Sequence, residues 1–226
     1  QPEQLQAALN ATLARIPSFA VRMRSGLFWH YFSHAHDQLR IQRDVVNPCQ
    51  SLSARLDHGF QIRVRYHHRR IALEVFHSVS DGSGAMTFLK TLVAQYLITG
   101  GIEIPASHGI LDCAEPPHPA ETTDDFGAFA GDSSPRPRRE ERAYHISGTR
   151  LPYHDLIITT GTIPVDALKA ESRRHEVTIT EYLTALYIHV LDDIQKAQRR
   201  RRPLPIKVEV PVNLRQFHPS ETLRNY

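Results

Sequence analysis

The chain has 226 residues, of which 41% are hydrophobic and 23% carry a charge. This length and this apolar fraction allow one large domain or two small ones with a buried core, which excludes disorder as the general state. Lysine and arginine number 27 against 24 aspartates and glutamates, and the resulting net charge of +3 does not by itself predict a nucleic-acid or membrane partner.

The first 32 residues predict a helix followed by a hairpin. Apolar residues recur at helical spacing from Leu5 to Ile16, and Pro17 ends that pattern because it lacks an N–H and has a fixed φ. Residues 19–32 then alternate apolar side chains with arginines, break at Ser25-Gly26 and continue as an aromatic run. This pattern is typical of two antiparallel strands.

A second hairpin is predicted from strands at 62–66 and 71–76, joined by a turn at 67–70. The residues of the turn, two histidines and two arginines, need no role beyond that of a polar turn. Counting by two from Ile71 reaches His77, so we expect this histidine on the apolar face of its strand, where the chain leaves the sheet.

A helix is predicted over 83–97, stopped by Gly100-Gly101. Residues 105–150 are rich in proline and small residues and include the basic tract at 135–142, which predicts a long surface crossover. Both this tract and the run from Arg199 to Arg202 are interpreted as solvated charge, although contact with phosphate is the alternative for each.

The rest of the chain predicts a strand at 155–164, a helix at 165–176, a longer helix and a final strand at 206–214. The longer helix opens at Thr178, which has capping-box spacing to Glu181. Helices interleaved with strands and hairpins predict a layered α/β or α+β architecture. We expect an N-terminal lobe at 1–104, the crossover at 105–150 and the beginning of a second lobe at 151–226.

The location of the protein is predicted from its cysteines and its apolar runs. Cys49 and Cys113 are far apart, so neither a disulfide scaffold nor a zinc module is predicted, and a reducing cytoplasm is expected. No apolar run reaches the roughly 18 residues of a membrane span, and the first residues do not resemble a signal peptide. The chain begins with Gln1 in a helical pattern, so we expect a soluble fragment of a longer protein.

The candidate catalytic residues of the sequence lie in residues 71–84. An imidazole at the end of an apolar strand is partly desolvated, which would keep His77 neutral and suited to act as a base. Asp81 is expected to brace the loop through an arginine, because a buried carboxylate needs a partner. Gly82 and Gly84 would allow torsions and close approach that a Cβ would block. Spacing alone leaves a purely structural role for His77 open.

Other motifs in the sequence give weaker evidence of a functional site. The sequence His34-Ala-His36-Asp37 resembles part of a metal-binding motif. No third and fourth ligand follows at typical spacing, so no metal site is predicted. Glycine-rich phosphate loops, nucleophile elbows and aromatic RNA-binding signatures are absent from the sequence.

The segment 76–97, FHSVSDGSGAMTFLKTLVAQYL, resembles the HxxxDG segment of the chloramphenicol-acetyltransferase-like superfamily. That superfamily includes plant acyltransferases, alcohol acetyltransferases and the condensation domains of nonribosomal peptide synthetases. The segment looks most like the bacterial alcohol acetyltransferase-type proteins, and residues 6–32 and 208–226, the latter containing PVNLR, are similar to their opening elements and PVNLR segment.

The resemblance implies a sandwich of two similar lobes, each a mixed sheet backed by helices, with a substrate tunnel between them. The chain then corresponds to the first lobe plus the start of the second, and its missing C-terminal lobe is an expected partner. His77 matches the general base, which takes the proton of an alcohol or amine attacking a CoA or carrier-bound thioester. Asp81 matches a structural aspartate that holds an arginine. Arg215, in PVNLR, is preferred over Arg24 as that arginine because it ends an apolar strand.

The resemblance implies no bound cofactor, with acyl-CoA as co-substrate and residues for its binding unknown. Two other functions stay open at this point. The first is a non-catalytic condensation-like module that binds an acyl carrier protein or another partner. The second, which we disfavour, is nucleic-acid binding by the arginine tracts, which would show strong salt dependence.

Overall fold

The computed structural model describes residues 1–45, 47–52, 57–125, 141–153, 155–198 and 202–225. The chain divides into two compact units, one formed by residues 1–133 with 213–226 and the other by residues 134–212. The described residues form four α-helices and five strands in two small sheets, a mixture of α and β structure as predicted. The lobe boundaries at 104 and 150 stay a prediction.

The described residues of the first unit form five strands and two α-helices. In chain order they are α1 (Pro2–Arg15), β1 (Val21–Ser25), β2 (His30–His34), β3 (Gln42–Arg43), β4 (Ile62–His67), β5 (Arg70–Val75) and α2 (Gly82–Thr99). β1 pairs with β2 and β4 with β5, both antiparallel, so the two predicted hairpins are confirmed along with both helices. β3 was not predicted; it is two residues long, lies parallel to β4, and is too short to show alternation.

The core of this unit lies between the two helices and one face of the β3-β4-β5 sheet. β4 contributes Ile62 and Val64, both fully buried, and α2 contributes Phe88, whose ring stacks on Phe19 with centroids 4.5 Å apart. Each such side chain contributes about 1.5–3 kcal/mol by leaving water. The apolar faces predicted from the helical and alternating patterns of the sequence therefore pack against one another.

The opposite face of the sheet is also covered, by charged side chains that neutralise one another. Arg63 is only 2% exposed and lies 2.7 Å from carboxylate oxygens of both Asp57 and Glu74. Arg65 donates to the other oxygen of Glu74 at 2.9 Å. Because these buried charges are paired, the sheet tolerates arginines at positions that the sequence pattern assigned simply to a polar face.

A further ion pair joins the end of α1 to the short 3-10 helix Pro119–Thr122. Arg15 donates to both carboxylate oxygens of Glu121, at 2.5 and 2.6 Å. Burial alone would raise the pKa of Glu121, but the hydrogen bonds and the charge of Arg15 outweigh it and lower that pKa below its ordinary value of 4.5. The described start of the predicted crossover is thus fixed to α1.

This pair predicts a pH-dependent stability. Because the pKa of Glu121 is lower in the folded than in the unfolded protein, its ionisation stabilises the fold above the ordinary value and stops doing so as the pH falls through the folded-state value. We expect Glu121→Gln to lower the free energy of unfolding by about 2 kcal/mol at pH 7 and by much less below the folded-state pKa. Urea unfolding at a series of pH values measures this, with Glu3→Gln as the control; an unchanged difference across that range would contradict it.

The second unit contains α3 (Val165–Arg174) and α4 (Ile179–Ala197), which confirm the two predicted helices. The predicted capping box is present: the Glu181 N–H donates to Thr178 Oγ1 at 3.2 Å, and the Thr178 N–H donates to Glu181 Oε2 at 2.7 Å. None of the described helices is both long and apolar enough to cross a membrane.

The prediction of strands at 155–164 and 206–214 is wrong. Both segments lack strand pairing among the described residues, and Leu214–Gln216 forms a 3-10 turn instead. Alternation shows which face a strand would bury, but a strand also needs a hydrogen-bonded neighbour. Most of the basic tract at 135–142 and of the run 199–202 lies outside the described residues.

Candidate active site

The candidate site begins at the turn that follows β5. The Phe76 N–H donates to the Gln61 carbonyl at 2.8 Å, and the Val79 N–H then donates to the Phe76 carbonyl at 2.8 Å. These bonds place His77 and Ser78 in the middle of a four-residue turn. Val79 and Ser80, in contrast, are buried.

The predicted desolvation of His77 is wrong: its side chain is exposed. The sequence argument continued the alternation of β5 by one more step, whereas the ladder ends at Val75 and the backbone turns at Phe76. Within the described part of the chain, no hydrogen bond holds the imidazole. His77 is therefore accessible to a substrate, and the chain positions it through the backbone of the turn.

Asp81 fixes the end of this turn to α2. Its Oδ1 accepts hydrogen bonds from the backbone N–H groups of Ser83 at 2.9 Å and Gly84 at 3.0 Å, which makes it the N-cap of α2. A carboxylate at this place satisfies helix N–H groups that have no partner within the helix and interacts favourably with the helix dipole.

The second oxygen of Asp81 accepts from Arg215 at 2.5 Å, and the two side chains are only 17% and 15% exposed. Arg215 also donates to the carbonyls of Thr222 at 2.9 Å and Arg224 at 3.2 Å. The arginine partner predicted for Asp81 is thus present, and it is Arg215. The alternative, Arg24, instead donates to Ser33 Oγ on the exposed hairpin β1–β2.

The two glycines of the segment differ. A Cβ on Gly84 would lie 2.2 Å from the Leu223 carbonyl oxygen and 2.3 Å from Ser80 Oγ, so the predicted close approach is confirmed there. No described atom lies within 4 Å of a Cβ on Gly82, and its backbone is helical rather than left-handed. The prediction that Gly82 serves torsion or close packing is therefore wrong.

Sequence reasoning missed the contact that Gly84 allows. The Ser80 hydroxyl donates to the Leu223 carbonyl at 2.6 Å, and the Thr222 hydroxyl donates to the Thr123 carbonyl at 2.6 Å. Residues 222–224 therefore pack against the start of α2 as well as holding Arg215. Glycine at 84 signals a close neighbour, but no sequence pattern identifies Leu223 as that neighbour.

The His34-Ala-His36-Asp37 sequence does not form a chelating group. The rings of His34 and His36 meet edge to face with centroids 5.1 Å apart, while Asp37 forms an ion pair with Arg22. Across the described ranges, no three His, Cys, Asp or Glu side chains gather closely enough to hold a metal ion.

Comparison with known proteins does not extend this description: no family model and no curated protein matches the chain. The chemistry of the site therefore follows from its residues. It offers one accessible imidazole on a turn whose far end is fixed by a capped helix and a charge-neutralised aspartate. An accessible imidazole is a side chain that can serve as a general base toward a bound substrate.

Proposed function

We propose that this chain is the His77-bearing part of an acyltransferase with the two-lobed, chloramphenicol-acetyltransferase-like fold. It transfers an acyl group from a CoA or carrier thioester to an alcohol or amine. The observation that carries the proposal is the contact between Asp81 and Arg215, which are 134 residues apart in sequence. The resemblance implies that Asp81 holds an arginine, and Arg215 in the PVNLR segment is the preferred candidate.

The division of roles at the site supports the same proposal. Asp81 is occupied by two backbone N–H groups and a guanidinium, so it is unsuited to accept a substrate proton. His77 has none of these constraints and is accessible. The aspartate therefore acts as a positioning residue, and the histidine is the candidate base.

In the proposed reaction, His77 accepts the proton of the acceptor O–H or N–H while the acceptor oxygen or nitrogen bonds to the thioester carbonyl carbon. The tetrahedral intermediate then collapses, the C–S bond breaks, and the leaving thiolate takes the proton from the imidazolium. No covalent acyl-enzyme forms. General-base catalysis accounts for about 10²–10⁴-fold, so positioning and oxyanion stabilisation supply the rest.

The exposure of His77 counts against catalysis by the described residues alone, because the expectation of a base rested on a desolvated imidazole. Proton transfer and thioester attack are favoured where water is excluded, because charge interactions are stronger there and hydrolysis is suppressed. We therefore propose that a second lobe covers the turn in the working enzyme. The same exposure is the observation that favours the alternative function, a non-catalytic module that binds a carrier protein.

Thiol release separates the two functions. The full-length protein is incubated with acetyl-CoA and a panel of alcohols and amines, and free CoA thiol is measured with and without each acceptor. We expect release that depends on the acceptor and a matching ester or amide product. The same measurement is made with an acylated carrier protein as the thioester. Binding of that carrier protein, with no acceptor-dependent thiol release from it or from acetyl-CoA, would favour the binding module and reject the enzyme.

A further inference from the structure

The hairpin β1–β2 ends in an exposed apolar tip. Residues 26–29 form the loop between the two strands, and the Gly26 N–H donates to the Trp29 carbonyl at 2.7 Å across it. Leu27, Phe28 and Trp29 are 89%, 92% and 61% exposed, and these three side chains form the tip of the hairpin. Exposure of large apolar side chains to water is unfavourable, and a contiguous group of them marks an interaction site.

The tip projects beyond one end of the three-stranded sheet. Arg22 of β1 forms an antiparallel bridge with Phe60, and the Gln61 N–H donates to the Val21 carbonyl at 3.3 Å. From this point β1 runs toward the tip, whereas β4 runs the opposite way toward its turn with β5. The tip is therefore a convex projection at the end of the sheet where the His77 turn lies, and the turn between β4 and β5 lies at the opposite end.

The hairpin carries positive charge below its tip. The sequence has no acidic residue between Glu3 and Asp37, and Asp37 forms an ion pair with Arg22. Arg24 donates through Nε to Ser33 Oγ at 3.3 Å, and no carboxylate among the described residues pairs with its guanidinium. The surroundings of the tip are therefore complementary in charge to an anionic surface.

We propose that the tip inserts into the surface of a bilayer that contains anionic phospholipids, a role that does not depend on acyl transfer. Leu27 and Phe28 enter the boundary of the acyl chains, Trp29 lies at the level of the headgroups, and Arg24 contacts their anionic groups. Three residues, about 10 Å of extended chain, separate Arg24 from Leu27. This spacing matches the depth of about 5–10 Å to which interfacial helices bury their apolar side chains.

The size and shape of the tip favour a lipid surface over a protein partner. A stable protein–protein interface takes about 800 Å² from each partner, and one large aromatic side chain supplies at most about 250 Å². Three side chains therefore fall short of such an interface, and a convex tip would also need a matching pocket in the partner. A bilayer accepts an apolar projection without a preformed pocket.

The charge of the tip also disfavours nucleic acid. Aromatic side chains stack on bases, but a single-stranded nucleic acid is held by a positively charged groove that follows its backbone. In the described hairpin, Arg24 is one arginine without an acidic partner, and Arg22 is neutralised by Asp37. One such charge suits the edge of an inserted apolar tip better than a nucleic-acid groove.

Tryptophan fluorescence tests the insertion in the full-length protein. Trp29 is the only tryptophan of this sequence, and subtracting the spectrum of Trp29→Phe isolates its emission from that of any other tryptophan. Without vesicles, acrylamide should quench this emission. Vesicles of phosphatidylcholine with about 30% phosphatidylserine should shift it to shorter wavelength, and brominated acyl chains should quench it.

Two results of this experiment would overturn the proposal. Emission that acrylamide cannot quench before vesicles are added would show that a second lobe or a second copy of the chain already covers the tip. Emission that is unchanged by the anionic vesicles would show that the tip stays in water.

A pair of substitutions tests the apolar contribution. Phe28→Ser is expected to lower the affinity for the same vesicles at least about tenfold, because a phenyl ring no longer leaves water. The matched control is Ile102→Ser, which replaces another exposed apolar side chain of the first unit outside the hairpin. Co-sedimentation with vesicles measures both, and equal affinities of the two variants would contradict insertion of the tip. The fluorescence experiment decides the matter if either variant fails to fold.

A second pair tests the charge. Arg24→Gln is expected to lower the affinity for the anionic vesicles about fivefold and to leave binding to phosphatidylcholine alone unchanged. Arg69→Gln, in the exposed turn at the opposite end of the sheet, should change neither. Equal losses in the two variants would point to attraction by the net charge of the protein and reject a specific tip. Binding of a single-stranded oligonucleotide that Phe28→Ser abolishes, without vesicle binding, would assign the tip to nucleic acid instead.

Discussion

His77→Gln is expected to lower the kcat for acyl transfer in the full-length protein by about 10²–10⁴-fold with little change in KM. Glutamine keeps a polar side chain of similar reach on the same exposed turn but cannot accept the proton of the acceptor. Since the imidazole makes no hydrogen bond to the described residues, its replacement should leave the free energy of unfolding within about 0.5 kcal/mol of the wild type.

The matched control is His68→Gln. His68 is also exposed, and it lies in the turn at the other end of the same hairpin, between β4 and β5. Initial rates with acetyl-CoA and the best acceptor are compared for both variants and the wild type. Similar rates in all three, or equal losses in both variants, would contradict a specific role for His77.

Gly84→Ala is expected to destabilise the protein by about 3 kcal/mol or more, whereas Gly82→Ala should leave stability unchanged or raise it by up to about 1 kcal/mol. The new Cβ at 84 would lie 2.2 Å from a backbone oxygen of Leu223, which cannot move without disturbing residues 222–224. Those residues hold Arg215, so Asp81 would lose part of its support too. At 82 the Cβ meets no described atom.

Urea unfolding of the two alanine variants measures this difference under identical conditions. Both substitutions are glycine to alanine near the start of α2, so intrinsic helix propensity affects them similarly and the close contact dominates the comparison. Two variants of equal stability would show that residues 222–224 do not pack against α2 as described.

Much of the first unit follows from sequence periodicity. Period-two alternation in β4 and β5 and the 3.6-residue stripes of α1 and α2 each require one buried face, and those faces meet in the core. β3 escaped prediction because two residues carry no period. The apolar segment 155–164 and the alternating segment 206–214 also predicted strands, but side-chain patterning does not supply the neighbour that a ladder needs.

The sequence predicted the ion pair of the candidate site, because a buried charge needs a partner. It did not predict the features that depend on the direction of the backbone. Asp81 needed a cation, and Arg215 was preferred over Arg24 because it ends the strand predicted at 206–214; the two side chains meet in the structure although that strand does not form. The exposure of His77 depends on where the ladder ends, one residue earlier than alternation suggested. Gly84 has no room for a Cβ and Gly82 has, and this difference depends on Leu223, which lies far away in the sequence.

Chemical rescue tests the role of His77 most directly. In the full-length His77→Ala protein, ester or amide formation from acetyl-CoA is measured at increasing concentrations of imidazole, which can approach a turn that is open to solvent. If the side chain is the base, the uncomplemented variant is nearly inactive and its rate rises in proportion to the imidazole added. Product formation by His77→Ala at the wild-type rate without imidazole would contradict the proposed mechanism.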